Sequence, residues 1–125
     1  ELRWLERFGL TSYGCCEPLH KKVECLKKIK NLRKISMSSW INIEEAAKNI
    51  GSRYVFSYKP NPTFLALDSF DLQKSLDEMS IVMERARENN CQVEFILRTI
   101  ITYHSDPNRL KEWVKAAMAM VGADD

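Results

Sequence analysis

No stretch of this sequence approaches the ~20 consecutive apolar residues that a membrane-spanning helix requires. Its opening, residues 1–10, lacks the charged, apolar and small-residue succession of a secretory signal. An excess of one charge is missing too: 19 Lys and Arg stand against 17 Asp and Glu, for a formal net charge of +2. That balance excludes the electrostatic footprint of a nucleic-acid-binding domain. The one basic cluster, Lys27 to Lys34, is interrupted by Ile29 and Leu32, as a solvated helix end and turn would be. His20 and His104 are the only histidines, and the four cysteines form no CxxC or HxC pattern, so few positions remain for a metal or an imidazole catalyst. Cys15 and Cys16 are adjacent, Cys25 lies in a helical pattern and Cys91 opens a strand, which fits reduced thiols in the cytoplasm better than disulfides.

What is present is an alternation of strand and helix, the mark of parallel βαβ units. Strands are expected at 12–15, 34–38 and 54–58, and from 91 to 97 or as far as Thr99. After the first strand, Leu19, Val23 and Leu26 recur at helical spacing behind Pro18. Asn42 with Glu45 resembles a capping box, and Gly51 stands at the expected helix stop. Pro60 and Pro62 end the third strand, because neither can donate to a ladder. A long helix over 71–88 carries Leu72, Leu76, Met79, Val82, Met83 and Ala86 on one stripe. Asp106 as N-cap, Pro107 at the first helical position and Gly122 after the last turn bracket a final helix. There is no linker, so residues 1–125 read as a single unit.

Four such units suit either a small open doubly wound sheet or part of a closed barrel. Strands buried on both faces read as continuous apolar runs, whereas Ser36, Ser38, Ser57 and Glu94 put polar groups at alternate positions, as strands lining a barrel lumen would. A complete barrel takes about 250 residues, so the expectation is α/β, the carboxy-terminal half of a TIM-type (β/α)8 barrel. The chain opens at Glu1 without an initiator Met, inside an amphipathic pattern of Leu2, Leu5 and Phe8, which suggests an excised piece. Half a barrel has two open edges and an uncovered inner face, so a homo-oligomer or a missing amino-terminal half is expected to cover them.

Barrel chemistry sits where strands end. After the first strand, Cys15, Cys16 and Glu17 offer two thiols and a carboxylate, candidate catalytic groups and, at Cys15, a candidate zinc ligand. The bland alternative is one thiol in the core and the other facing the cavity. After the second strand, Ser36, Ser38 and Trp40 suit a small polar ligand, although capping and packing explain them almost as well. After the third, Lys59 suits a carboxylate or phosphate, with Asn61 to orient it; the competing reading is a stiff turn with a solvated lysine. After the fourth, Arg98 suits an anionic substrate and His104 general acid-base work, unless His104 is merely exposed.

The segments Tyr13-Gly14-Cys15-Cys16-Glu17-Pro18-Leu19, Asn31 to Ser38, Val55 to Pro62 and Asp106 to Leu110 together resemble an uncharacterised family grouped with uroporphyrinogen decarboxylase and cobalamin-independent methionine synthase. The resemblance spans almost the whole chain. It implies a methyltransferase-like barrel enzyme acting on a small molecule by corrinoid-linked or thiol-directed methyl transfer, with zinc, and a corrinoid or folate held by the parent protein. Zinc methyltransferases of that superfamily carry His-x-Cys after a mid-barrel strand; here Tyr13-Gly14-Cys15 aligns with it, so Cys15, with Cys16 and Glu17, is what carries over. Two other classes compete. A metal-free decarboxylase or lyase would hold substrate carboxylates with Lys59 and Arg98, and a non-catalytic assembly module would need none of these side chains. By the resemblance, the isolated chain is expected to be inactive.

Overall fold

The computed structural model describes residues 2–98 and 100–122; Thr99, the farther expected end of the last strand, and Glu1 lie outside them. After a short helix α1 (Leu2–Leu5) come β1 (Thr11–Gly14), a 3-10 turn (Leu19–Lys22) running into α2 (Val23–Leu26), and β2 (Leu32–Met37). Then follow α3 (Ile43–Ile50), β3 (Val55–Tyr58), α4 (Thr63–Ala66), α5 (Leu72–Glu88), β4 (Gln92–Phe95) and α6 (Asn108–Val121). The fold is α/β. Among the described residues the strands form a single four-stranded sheet in the order β1-β2-β3-β4, parallel throughout.

Local chemistry explains most boundaries. The Asn42 side chain accepts from the Glu45 N–H at 3.0 Å to start α3, and Gly51, at φ 52°, ends it. Asp71 accepts from the Lys74 N–H at 3.2 Å at the head of α5. The last helix begins one residue later than expected, with Pro107 at the cap position and the Asp106 carboxylate accepting from the Asn108 N–H. β4 is shorter than expected, ending at Phe95, though the Ile96 N–H still bonds the Tyr58 carbonyl at 2.9 Å.

Strand alternation divides the sheet into two unlike faces. On one, Ile35, Met37, Phe56 and Tyr58 are fully buried beneath Leu19, Val23, Ala46, Ala47, Ile50 and Val82 from the helices. Each large side chain there contributes about 1.5–3 kcal/mol by leaving water. Edge-on contacts between Phe56 and Tyr58 (6.1 Å) and between Tyr58 and Phe95 (6.4 Å) order this layer. A second cluster of Leu65, Met79, Trp113 and Ala117 binds α6 to α5, fixed by the Trp113 indole donating to Ser75 Oγ at 2.9 Å.

The opposite face is polar. One register row reads Gly14, Ser36, Ser57, Glu94 across all four strands. Ser57 Oγ donates to Ser36 Oγ at 3.4 Å, and Lys34 Nζ reaches across β3 to Glu94 at 3.1 Å. Gly14 is dictated by packing: a Cβ there would lie 2.6 Å from the Ser36 Cβ and 3.0 Å from its carbonyl oxygen. At the two sheet edges apolar side chains stay exposed, with Trp4, Phe8 and Leu10 ahead of β1. At the other edge Val114, Met118 and Val121 flank a groove against β4. No helix among the described residues is long and apolar enough to cross a membrane.

Candidate functional site

The sheet ladder continues past β3, since the Lys59 N–H donates to the Met37 carbonyl at 2.9 Å. Alternation then carries the polar face upward from the Gly14, Ser36, Ser57 row to Cys16, Ser38 and Lys59. These three residues, joined by Trp40, Asn61 and Arg98, line one cleft of about 390 Å³ at the carboxyl ends of the strands. Sequence reasoning named each of the six as a candidate, and four separate strand ends bring them together. Ser36 lies one layer lower, buried beneath the cleft.

The electrostatics of this cleft are one-sided. It contains the Lys59 ammonium and the Arg98 guanidinium, and no carboxylate among the described residues that line it. Burial, reinforced by the Arg98 charge, holds the Lys59 amine below its usual pKa. Among the described residues Lys59 Nζ bonds the Cys15 carbonyl at 3.3 Å and no carboxylate, whereas Lys22, Lys27, Lys34 and Lys74 each end on a carboxylate. Ser38 is 7% exposed, and its Oγ is buried with no hydrogen-bond partner among the described residues. A buried hydroxyl left unpaired costs about 1–3 kcal/mol, so an acceptor or donor brought into the cleft would recover that cost.

The loop carrying Asn61 is held from behind. Glu78 on α5 accepts from the Tyr58 hydroxyl at 2.6 Å and from the Asn61 N–H at 3.0 Å. Asn61 Oδ1 accepts from the Thr63 N–H at 3.1 Å just ahead of α4, which fixes the amide and leaves its nitrogen free to donate to a ligand. Arg109 of α6 is buried and donates to the carbonyls of Leu65, Leu67 and Asp68 at 2.9, 2.6 and 2.9 Å. Neither Glu78 nor Arg109 stood out as a site residue in the sequence. Nothing in their local spacing reveals partners 17 and 41–44 positions away.

The remaining candidates fall elsewhere. Cys15 packs against the helical core with its Sγ toward the Glu17 carbonyl at 3.9 Å, while Cys16 is the exposed thiol that faces the cleft. Glu17 is turned away to Lys22, whose hydrogen bond and charge hold its carboxyl below the usual range. His104, at φ 51°, sits beside Ala66 and Asp68, its Nε2 2.8 Å from the Ala66 carbonyl oxygen. His20 is buried near Glu45. A zinc ion needs three or four converging donors. Among the described residues no three His, Cys, Asp or Glu side chains come together. Cys15, Cys16 and Glu17 point three different ways, so these three side chains do not converge as one donor set.

No family model, curated protein or solved structure matches the chain. The reading of function therefore rests on the cleft itself.

Proposed function

We propose that this chain supplies four βα units of a cytoplasmic (β/α)8-barrel enzyme, and that its strand-end cleft holds the carboxylate of a small anionic substrate. The reaction class this supports best is metal-free decarboxylase- or lyase-like chemistry. The observation that carries it is the pairing of Lys59 with Arg98 in one cleft whose described lining holds no carboxylate. Two like charges in one cleft repel each other, and a bound anion offsets that repulsion with charge-assisted hydrogen bonds. An arginine adds a planar fork matched to a carboxylate.

The barrel assignment is supported by strand order and by the division of faces. The strands lie in sequence order, and the described helical core gathers on one side of the sheet, leaving the other side polar. That is how a barrel winds, with helices outside and polar side chains inside near the mouth. The edges at β1 and β4, with their exposed apolar side chains, are then surfaces that a second copy of this chain covers in solution.

A second reading keeps one specific observation in its favour. Cys16 shares the cleft with Lys59, a placement suited to thiol-directed methyl transfer with the corrinoid or folate held by the rest of the barrel. The two are separated by calorimetry with a panel of small carboxylates and thiols, comparing the parent chain with Lys59→Met/Arg98→Met and with Cys16→Ser. The carboxylate reading expects binding that the double variant abolishes and Cys16→Ser retains. Carboxylate binding unaffected by the double variant would defeat it.

A further inference from the structure

We infer that Lys59 is an amine nucleophile, forming an imine in the cleft with a 2-oxo acid of about pyruvate size. This rests on the carboxylate reading above and assigns a distinct task to each of the two cations. Arg98, always charged, holds the carboxylate. The carbonyl carbon next to that carboxylate then falls to Lys59, on the neighbouring strand end.

Three features equip Lys59 for the task. Its backbone is fixed by the ladder bond to Met37, so its side chain rises from a rigid strand end rather than from a mobile loop. Its Nζ bonds a carbonyl, not a carboxylate: a neutral amine can donate one N–H to the Cys15 oxygen and still keep its lone pair for attack. Pro60 is fully buried and Lys59 half-buried and flanked by Arg98, so burial and the neighbouring charge make the uncharged amine easier to reach than in water. Ser38 completes the set. Its unpartnered hydroxyl lies beside Lys59 in the extended register of β2 and β3, where the oxygen of the addition intermediate needs a hydrogen-bond partner.

The step balances with one proton drawn from solvent. The Nζ lone pair forms a bond to the carbonyl carbon, and one proton passes from nitrogen to the carbonyl oxygen. The resulting hydroxyl takes a second proton from solvent and departs as water, leaving a protonated C=N bond. Protonated, that imine accepts the electron pair released when a bond on the adjacent carbon breaks, a carbon-hydrogen bond in pyruvate, to give an enamine. No oxidant or reductant enters.

The test is reductive trapping. The chain is incubated with pyruvate and borohydride, then analysed by intact mass and peptide mapping. The expected result is one reduced pyruvyl group, located at Lys59, in the time during which exposed lysines such as Lys21 and Lys28 remain largely unmodified. Lys59→Arg should give no such adduct, Arg98→Met should need about ten-fold more pyruvate for the same yield, and Ser38→Ala should slow its formation. Labelling spread evenly over exposed lysines, or unchanged in Lys59→Arg, overturns the inference. Calorimetry with pyruvate alone separates the two levels. Binding without an adduct removes the imine and leaves the carboxylate site standing, while the absence of both removes both.

Discussion

Replacing Arg109 by Met should cost more stability than removing any surface charge of this chain, although Arg109 lies far from the cleft in sequence. The guanidinium makes three charge-assisted bonds to backbone carbonyls of the last turn of α4 and the loop that follows it, and lies 5.6 Å from the Phe70 ring centre. Methionine keeps the apolar stem but supplies no donor. The bond to the Leu65 carbonyl is buried, so that oxygen loses its partner without access to water, at about 2 kcal/mol. The carbonyls of Leu67 and Asp68 are part-buried and recover partly by hydration, at about 0.5 kcal/mol each, with a similar amount for the lost contact to Phe70. The total is about 3.5 kcal/mol. With a urea dependence of about 1.5 kcal/mol per molar, typical for a small domain, the unfolding midpoint should fall by about 2 M. Urea titration followed by tryptophan fluorescence measures this directly. A midpoint shift below about 0.4 M would refute the claim that Arg109 ties the loop to α6. Arg109→Lys should restore only part of the loss, since one ammonium does not span three carbonyls as the fork does.

Other expectations follow from the same packing and electrostatics. Gly14→Ala forces a carbon into the Ser36 backbone and should cost about 1–3 kcal/mol in the same titration, whereas Gly9→Ala, which meets nothing within 4 Å, should be nearly silent. The Lys59 amine titrates near 10.5 when unfolded and lower when folded, so between those values the unfolded chain binds more protons and stability rises with pH. Lys59→Met should therefore compare best with the parent chain at neutral pH, where the charged amine carries its full penalty. That advantage should shrink as pH rises toward 10.5, and a difference independent of pH would contradict it. Burial raises the Cys91 thiol pKa and its Sγ faces the Ala47 carbonyl, so alkylation at pH 8 should reach the exposed Cys16 and Cys25 well before Cys91. Light scattering should report a species larger than one chain, and substituting Met118→Lys at the β4 groove should reduce it; a compact monomer would remove the edge argument.

Much of the architecture is legible along the chain because its signals are local. The Asn42 and Asp71 caps, the Gly51 and Gly122 stops and the Pro60 to Pro62 break each act within a few residues, and each marks an element boundary. The division of sheet faces is also legible, since alternation alone sets Ser36 and Ser57 opposite Ile35, Met37 and Phe56. The order in which strands pair is not local, and neither is the shift of register between Thr11 and Ser12 that lets Arg33 stand out of the ladder. For the cleft, strand-end position was enough to name Cys16, Ser38, Trp40, Lys59, Asn61 and Arg98, which line it together. It did not distinguish Cys15 from Cys16, because adjacent residues at a strand end diverge to opposite faces. His104 follows the same strand at a distance, and its place is set instead by left-handed backbone at His104 and Ser105 and by the Ala66 carbonyl.

The central claim, that the strand ends form a carboxylate site, is tested most directly by backbone amide NMR during a pyruvate titration without reductant. The account predicts saturable shifts concentrated at residues 38–40, 59–63 and 98, abolished by Lys59→Met/Arg98→Met. Shifts confined to other surfaces, or scattered and unsaturated to high concentration, would contradict it.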